Sequence, residues 1–189
     1  MEEIKIIGIG SSGISITNRL IKRNLKKVLY SVIAADKNLL ELSSANEKLF
    51  IDNNMGGFGG FAGNAKNAEN ATIKYQAEIK NLMSGSKCVV IISALGGGTG
   101  SGITPFVVKT AQEMNIPNFA IVINPFNFDS EEHKNNAKDA INKIKTITDN
   151  LFILENQKIY EQTDNNSTLS KSFEIIDDDI VEILNKLNG

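Results

Sequence analysis

The sequence predicts an α/β fold, a Rossmann-like parallel sheet with helices on both faces. Three observations lead there. Short apolar runs alternate with longer segments of helical period, the pattern of parallel strands joined by crossover helices. Lys87 to Leu95 is almost continuously apolar and rich in β-branched residues, as a central strand buried on both faces requires. Two glycine-rich runs each stand between a predicted strand and a predicted helix.

The elements follow in order. Ile4 to Ile9 reads as the first strand, and Gly13 to Arg23 as a helix whose Ile14, Ile16, Leu20 and Ile21 share a broad face. Leu29 to Ala35 makes a second strand; a helix near Asn38 to Ala45 and a short strand near Lys48 to Ile51 lead into a glycine-rich segment, Asn53 to Asn64. A helix is expected over Ala65 to Met83, the central strand over Lys87 to Leu95, and a helix over Ile103 to Met114. Phe119 to Ile123 forms the next strand, Asp129 to Thr148 a charged amphipathic helix, and Leu151 to Leu154 the last strand. Thr163 to Thr168 reads as a loop ahead of a final helix, Leu169 to Leu187. With no internal repeat or Pro-rich linker, residues 1–189 are read as one domain.

Charge and composition exclude several functions. Twenty basic against 22 acidic side chains leave a formal net charge of -2, and the only arginines are Arg19 and Arg23. Such a chain has no basic field to grip nucleic acid or an anionic membrane. A bound phosphate must then be held largely by backbone amides. No apolar stretch approaches the ~20 residues of a membrane span. The acidic start, Met1-Glu2-Glu3, does not resemble a signal peptide, so a cytoplasmic location is expected. One cysteine, Cys88, and one histidine, His133, cannot build a disulfide or a zinc cluster.

The chemistry is carried by the glycine loops. Gly8-Ile9-Gly10-Ser11-Ser12-Gly13 matches GxGxxG after a strand and before a helix, where free amides and the positive helix end favour a diphosphate. Asp36, about twenty residues on at the end of the second strand, fits the ribose-binding acid of a dinucleotide fold. An NAD(P) or flavin protein is therefore one reading. Gly96-Gly97-Gly98-Thr99-Gly100-Ser101-Gly102 places five glycines in seven residues. Each costs roughly 0.5–1 kcal/mol relative to alanine, which favours a second anion cradle, with Thr99 and Ser101 adding hydroxyl donors. No GxxxxGK[ST] sequence is present, so this is not a P-loop.

These residues resemble the tubulin and FtsZ family of GTPases, whose signature is GGGTG[ST]G, and the FtsZ members more closely than tubulin. The opening Ile4 to Gly10, Asn18-Arg19 and Asn124-Pro125-Phe126-Asn127-Phe128-Asp129 are similar to FtsZ segments in the same order. The resemblance implies GTP or GDP as ligand, with Mg2+ carried by the phosphates. It puts Gly10, Ser11, Ser12, Gly13 and Ser15 on the first phosphate loop, where glycines and asparagine are usual in FtsZ. Gly96, Gly97, Gly98, Thr99 and Gly100 fall on the signature loop, and Gly59, Gly60, Ala62 and Asn64 on the segment that senses the terminal phosphate. Asp129 matches the acidic ribose contact. His133 falls where arginine is usual, and reads either as a ligand or as a solvated helix residue, lacking arginine's fixed charge and fork.

Asn156, Phe173 and Asp177 fall where the family reads the guanine base, a carboxylate accepting from its ring N–H and exocyclic amine while an aromatic face stacks. Read without the resemblance, Phe173 is equally a core residue spaced with Leu169, Ile176 and Ile180, and Asp177-Asp178-Asp179 a solvated helix turn. The resemblance implies that hydrolysis needs an acidic loop of a second, C-terminal domain that enters the next subunit's site in a filament. Residues 1–189 are expected to be the nucleotide-binding domain, ending in the start of the central helix, with self-association or such a C-terminal domain as partner. Two other functions stay open: an NAD(P)-binding oxidoreductase domain, and an interaction module of the same descent that binds no nucleotide.

Overall fold

The computed structural model describes residues 4–54, 57, 59–158 and 169–188. The expected loop Thr163 to Thr168 and part of the glycine-rich segment Asn53 to Asn64 lie outside these residues. The elements are β1 (Ile4–Ile9), α1 (Gly10–Lys22), β2 (Val28–Ala34), α2 (Lys37–Glu41), β3 (Glu47–Phe50) and α3 (Ala65–Thr72). A 3-10 turn (Ile73–Tyr75) leads to α4 (Gln76–Met83), β4 (Cys88–Ala94), α5 (Gly98–Glu113), β5 (Asn118–Asn124), α6 (Glu131–Lys145), β6 (Leu151–Glu155) and α7 (Leu169–Asn188). The sheet order is β3-β2-β1-β4-β5-β6, with every pair parallel.

Parallel pairing forces each connection to cross over a face, so the central strands are covered twice and both of their faces must be apolar. In β1, Ile6 turns to one face and Ile7 to the other, and both are fully buried. Val90 and Ile92 of β4 join Ile14 and Leu20 of α1 and Ile176, Ile180 and Leu184 of α7 in one layer. Val89 and Ile91 join Ile79, Val107, Ile141 and Ile144 from α4, α5 and α6 in the other. Among the described residues no helix is long and apolar enough to cross a membrane.

Helix α2 ends at Glu41, short of Ala45, and α6 spans Glu131–Lys145 inside the expected Asp129 to Thr148; three further helix boundaries differ from the sequence expectation. The helix over Ala65 to Met83 is divided at Ile73–Tyr75. There Thr72 turns its hydroxyl back onto the Ala68 carbonyl (2.7 Å), a bond that bends helices, and the Tyr75 hydroxyl accepts the Asp52 N–H. Helix α1 begins at Gly10 rather than Gly13, and α5 at Gly98 rather than Ile103. Low helix propensity argued against both starts, and tertiary packing overrides it.

Candidate functional site

In this strand order the chain reverses direction across the sheet between β1 and β4: α1 leaves β1 toward one face and α5 leaves β4 toward the other. A crevice opens at the carboxyl ends of strands at such a point. A cavity of about 570 Å³ sits there, lined by the start of α1, the start of α5 and the segment Gly59 to Gly63. Neither helix start has a side-chain cap: the N-cap residues are Ile9 and Gly97. The first amides of both helices thus lack intrahelical partners, and Ser11, Ser12, Gly98, Thr99 and Gly100 bring them to the cavity wall. Two positive helix ends converge on one space, a ready-made anion site. Among the described lining residues there is no lysine or arginine, in keeping with an anion held by backbone.

The signature-loop glycines have a different division of labour from the one expected. A Cβ on Gly100 would overlap the Ala94 carbonyl oxygen, and one on Gly102 the Ala65 carbonyl oxygen; one on Gly98 would sit 2.8 Å from the Asn64 amide nitrogen. These three let α5 lie against β4 and α3. Gly96 holds a φ of +107° and does not line the cavity. Gly97 alone in the run lines the cavity and has nothing within 4 Å of where a Cβ would stand. Ser101 also departs from its expected role: it is 4% exposed and its hydroxyl accepts the Gly96 N–H (2.8 Å), shaping the loop from inside. In the first loop Gly10 lines the cavity at φ +74°, whereas Gly13 packs beneath it, a Cβ there falling 2.9 Å from the Ile92 carbonyl oxygen.

Three polar side chains that local patterning did not single out for this task hold the third wall. Asp36 accepts the Leu39 N–H as the cap of α2 and the Gly59 N–H (2.9 Å). Those backbone bonds, that of Gly59 foremost, hold its carboxyl below the ordinary aspartate range. Its oxygens are thus engaged by the loop, although the residue lines the cavity. Asn53 donates to the Gly60 and Ala35 carbonyls, and Asn136 of α6 donates to the carbonyls of Gly63 (2.9 Å) and Gly96 (3.0 Å), tying the two glycine segments together. Gly60 and Ala62 both line the cavity in left-handed conformations, Gly60 beside the Thr99 side chain. Asp129 lines it with Oδ2 accepting the Phe126 N–H (2.8 Å), and half-buried His133 lies in the same wall.

A smaller lobe of about 230 Å³ shares Ser11, Ser12, Ala94 and Asn156 with the larger one and runs between α1 and α7. Ser15, Ile16, Arg19, Ile123, Phe173 and Ile176 complete it. Phe173 is 39% exposed while Ile176 and Ile180 are buried, so it faces this lobe and is not core. Asp177 sits behind this lobe and not in its lining. It is 1% exposed, lines neither lobe, and both its oxygens are taken by Arg19, through Nε (2.5 Å) and Nη2 (2.9 Å). It is not a solvated turn residue either; Asp178 and Asp179, which pair with Arg23 and Lys158, come nearer to that description.

Comparison with known proteins agrees with this geometry. The family model described as Tubulin/FtsZ family, GTPase domain, matches residues 3–164. The cell division protein FtsZ of Mycoplasmopsis pulmonis (strain UAB CTIP) is 32% identical over 159 residues, covering 84% of this chain and 40% of that protein. The empty FtsZ dimer of M. jannaschii superposes with a TM-score of 0.84 at 28% identity, over 94% of this chain and 52% of its own. A GTPgS-bound protofilament of CetZ2 from Haloferax volcanii has the same fold, with a TM-score of 0.84 at 18% identity over 98% of this chain and 57% of its own. The chain thus spans about half the length of the relatives it matches.

Proposed function

The chain belongs to the tubulin/FtsZ family, as a GTPase domain homologous to FtsZ, and on that premise we propose that its two-lobed cavity binds GTP or GDP. The phosphates lie against the amide ends of α1 and α5, and the base enters the smaller lobe beside Phe173. One observation carries this reading: two uncapped helix starts at adjacent strands meet in a single cavity whose larger lobe has no lysine or arginine among its described lining residues. Mg2+ comes with the nucleotide, held by phosphate oxygens and water. Asp36 has both carboxylate oxygens on backbone amides, and among the described residues no group of three His, Cys, Asp or Glu is placed to hold a metal.

Thermal melts with GTP, GDP, ATP and NAD test the assignment. Guanine nucleotide at about 100 times its Kd should add about 2.7 kcal/mol, raising Tm by roughly 5–10 °C, with little effect of ATP or NAD. Protection by NAD alone would support an oxidoreductase domain, and protection by none a nucleotide-free interaction module.

Hydrolysis we assign to an acidic group supplied by a neighbouring subunit or a further domain, as the family resemblance implies, with self-association as its condition. Service in cell division is proposed by analogy with the M. pulmonis relative. The purified 189-residue polypeptide should then bind GTP and turn it over slowly. Fast turnover by the dispersed chain would refute this assignment.

A further inference from the structure

A separate cavity of about 500 Å³ backs onto the third wall of the first and shares Phe61 with it. Its size suits a small molecule or a short peptide. On one side α3 and the turn that continues it supply Asn67, Asn70, Ala71 and Lys74, at the i, i+3, i+4 and i+7 spacing of a single helical face. Opposite them stand Asn53 and Asn54, from the segment after β3. Asn53 is 7% exposed and its amide is engaged by the wall, donating to the Gly60 carbonyl and accepting the Gly57 N–H (3.3 Å). The other carboxamides are not engaged. At Asn54 and Asn67 it is the backbone N–H that bonds, to Asp52 Oδ1 and Asn64 Oδ1. Among the described residues the side chains of Asn54, Asn67, Asn70 and Lys74 have no hydrogen-bond or ion-pair partner. Asparagine is also a poor helix former, so two on one face of an eight-residue helix are not explained by the helix.

A carboxamide offers a donor and an acceptor in one plane, the complement of a peptide group, and Lys74 adds a cation. No carboxylate is among the described lining residues, so nothing there neutralises the ammonium. Phe61 and Ala71 leave apolar surface between the amides, where the side chains of an extended chain can rest. We propose that this cavity binds a short extended peptide bearing a carboxylate. Asn54, Asn67 and Asn70 pair with its main-chain amides, and Lys74 with the carboxylate, whether a C-terminus or an acidic side chain. The proposal does not depend on the nucleotide reading, since Phe61 is the one residue that lines both cavities.

Three acetylated tripeptides test it by NMR titration of the isotopically labelled protein. Ac-Ala-Ala-Ala-OH ends in a carboxylate, Ac-Ala-Asp-Ala-NH2 carries one on a side chain, and Ac-Ala-Ala-Ala-NH2 has none. At least one charged peptide should bind with a Kd of about 1 mM or tighter and move the signals of Asn54, Asn67, Asn70 and Lys74. The stronger of the two identifies the source of the carboxylate. The neutral peptide should bind about fivefold more weakly. Lys74→Gln should erase that difference and Lys74→Arg keep it, both with the parent's urea midpoint, because Lys74 is exposed.

Equal binding of charged and neutral peptides, signal changes confined to other residues, or no binding of either charged peptide would overturn the proposal. So would binding of glucuronate with all three peptides inert, which would make the cavity a site for acidic sugars. The peptide series needs no variant, so it decides the matter even where a substitution prevents folding.

Discussion

Replacing Gly100 and Gly97 separately by alanine distinguishes a glycine that packs from one that faces a ligand. Gly100 lies inside α5, where alanine should by propensity gain about 1 kcal/mol. Its Cβ, however, would overlap the Ala94 carbonyl oxygen and stand 2.9 Å from the Ser93 hydroxyl oxygen. A backbone carbonyl cannot rotate away, because β4 is paired on both sides. Helix α5 must therefore shift, and it is also held against α3, where Gly102 meets the Ala65 carbonyl. Overpacking of this kind costs typically 1–3 kcal/mol and more where the contact is backbone. With the propensity gain subtracted, a net loss of about 2 kcal/mol is expected, a fall in Tm of roughly 4–8 °C for a chain of this size. Gly97 has an extended conformation open to any residue (φ -73°, ψ 162°) and free space around it. Gly97→Ala should change stability by less than about 0.5 kcal/mol and weaken nucleotide binding, since Gly97 lines the cavity and has open space where a Cβ would stand. Urea denaturation and GDP titration of both variants read the two effects. A Gly100→Ala protein as stable as the parent, or a Gly97→Ala protein that binds GDP normally while losing stability, would refute this division.

Asn136→Ala leaves the Gly63 and Gly96 carbonyls without their shared donor and should loosen both walls, lowering GDP affinity by about tenfold; unchanged affinity by calorimetry would contradict the bridge. The Asp36 carboxyl is held below its ordinary range by the Gly59 and Leu39 amides, so the stability it adds is present above the unfolded value of about 3.9 and disappears as pH falls through the lower folded value. Urea midpoints of the parent and Asp36→Asn should accordingly differ at pH 7 and converge in acid; a gap that persists to the acid limit would count against this. Lys5 is 4% exposed, with Nζ 2.6 Å from both the Glu47 carboxylate and the Leu82 carbonyl, so Lys5→Met should cost about 2 kcal/mol, and an unaltered urea midpoint would show that the pair adds nothing.

The order of strands and helices was legible because the fold's strongest demand is local. A parallel strand covered on both faces must be a short, nearly continuous apolar run, and Cys88–Ala94, interrupted only by Ser93, is one; a helix covering such a sheet must repeat its apolar residues every three or four positions, as Ile176, Ile180 and Leu184 do. The two glycine loops marked the cavity for the same reason, since both the turn and the uncapped helix start are properties of adjacent residues. What each glycine does was not legible. The run at 96–102 reads as one cradle, yet Gly98, Gly100 and Gly102 answer to the Asn64 amide and the carbonyls of Ala94 and Ala65. Asp177 shows the same limit. Its sequence position suits a base-reading acid, but its actual partner is Arg19, 158 residues away on another helix. The sequence by itself determined the fold and the place of the cavity, through periodicity and turn chemistry that act between neighbours. Only the tertiary structure decided which side chains face the cavity and which are consumed in building it, because that depends on groups that meet across the sheet and between helices.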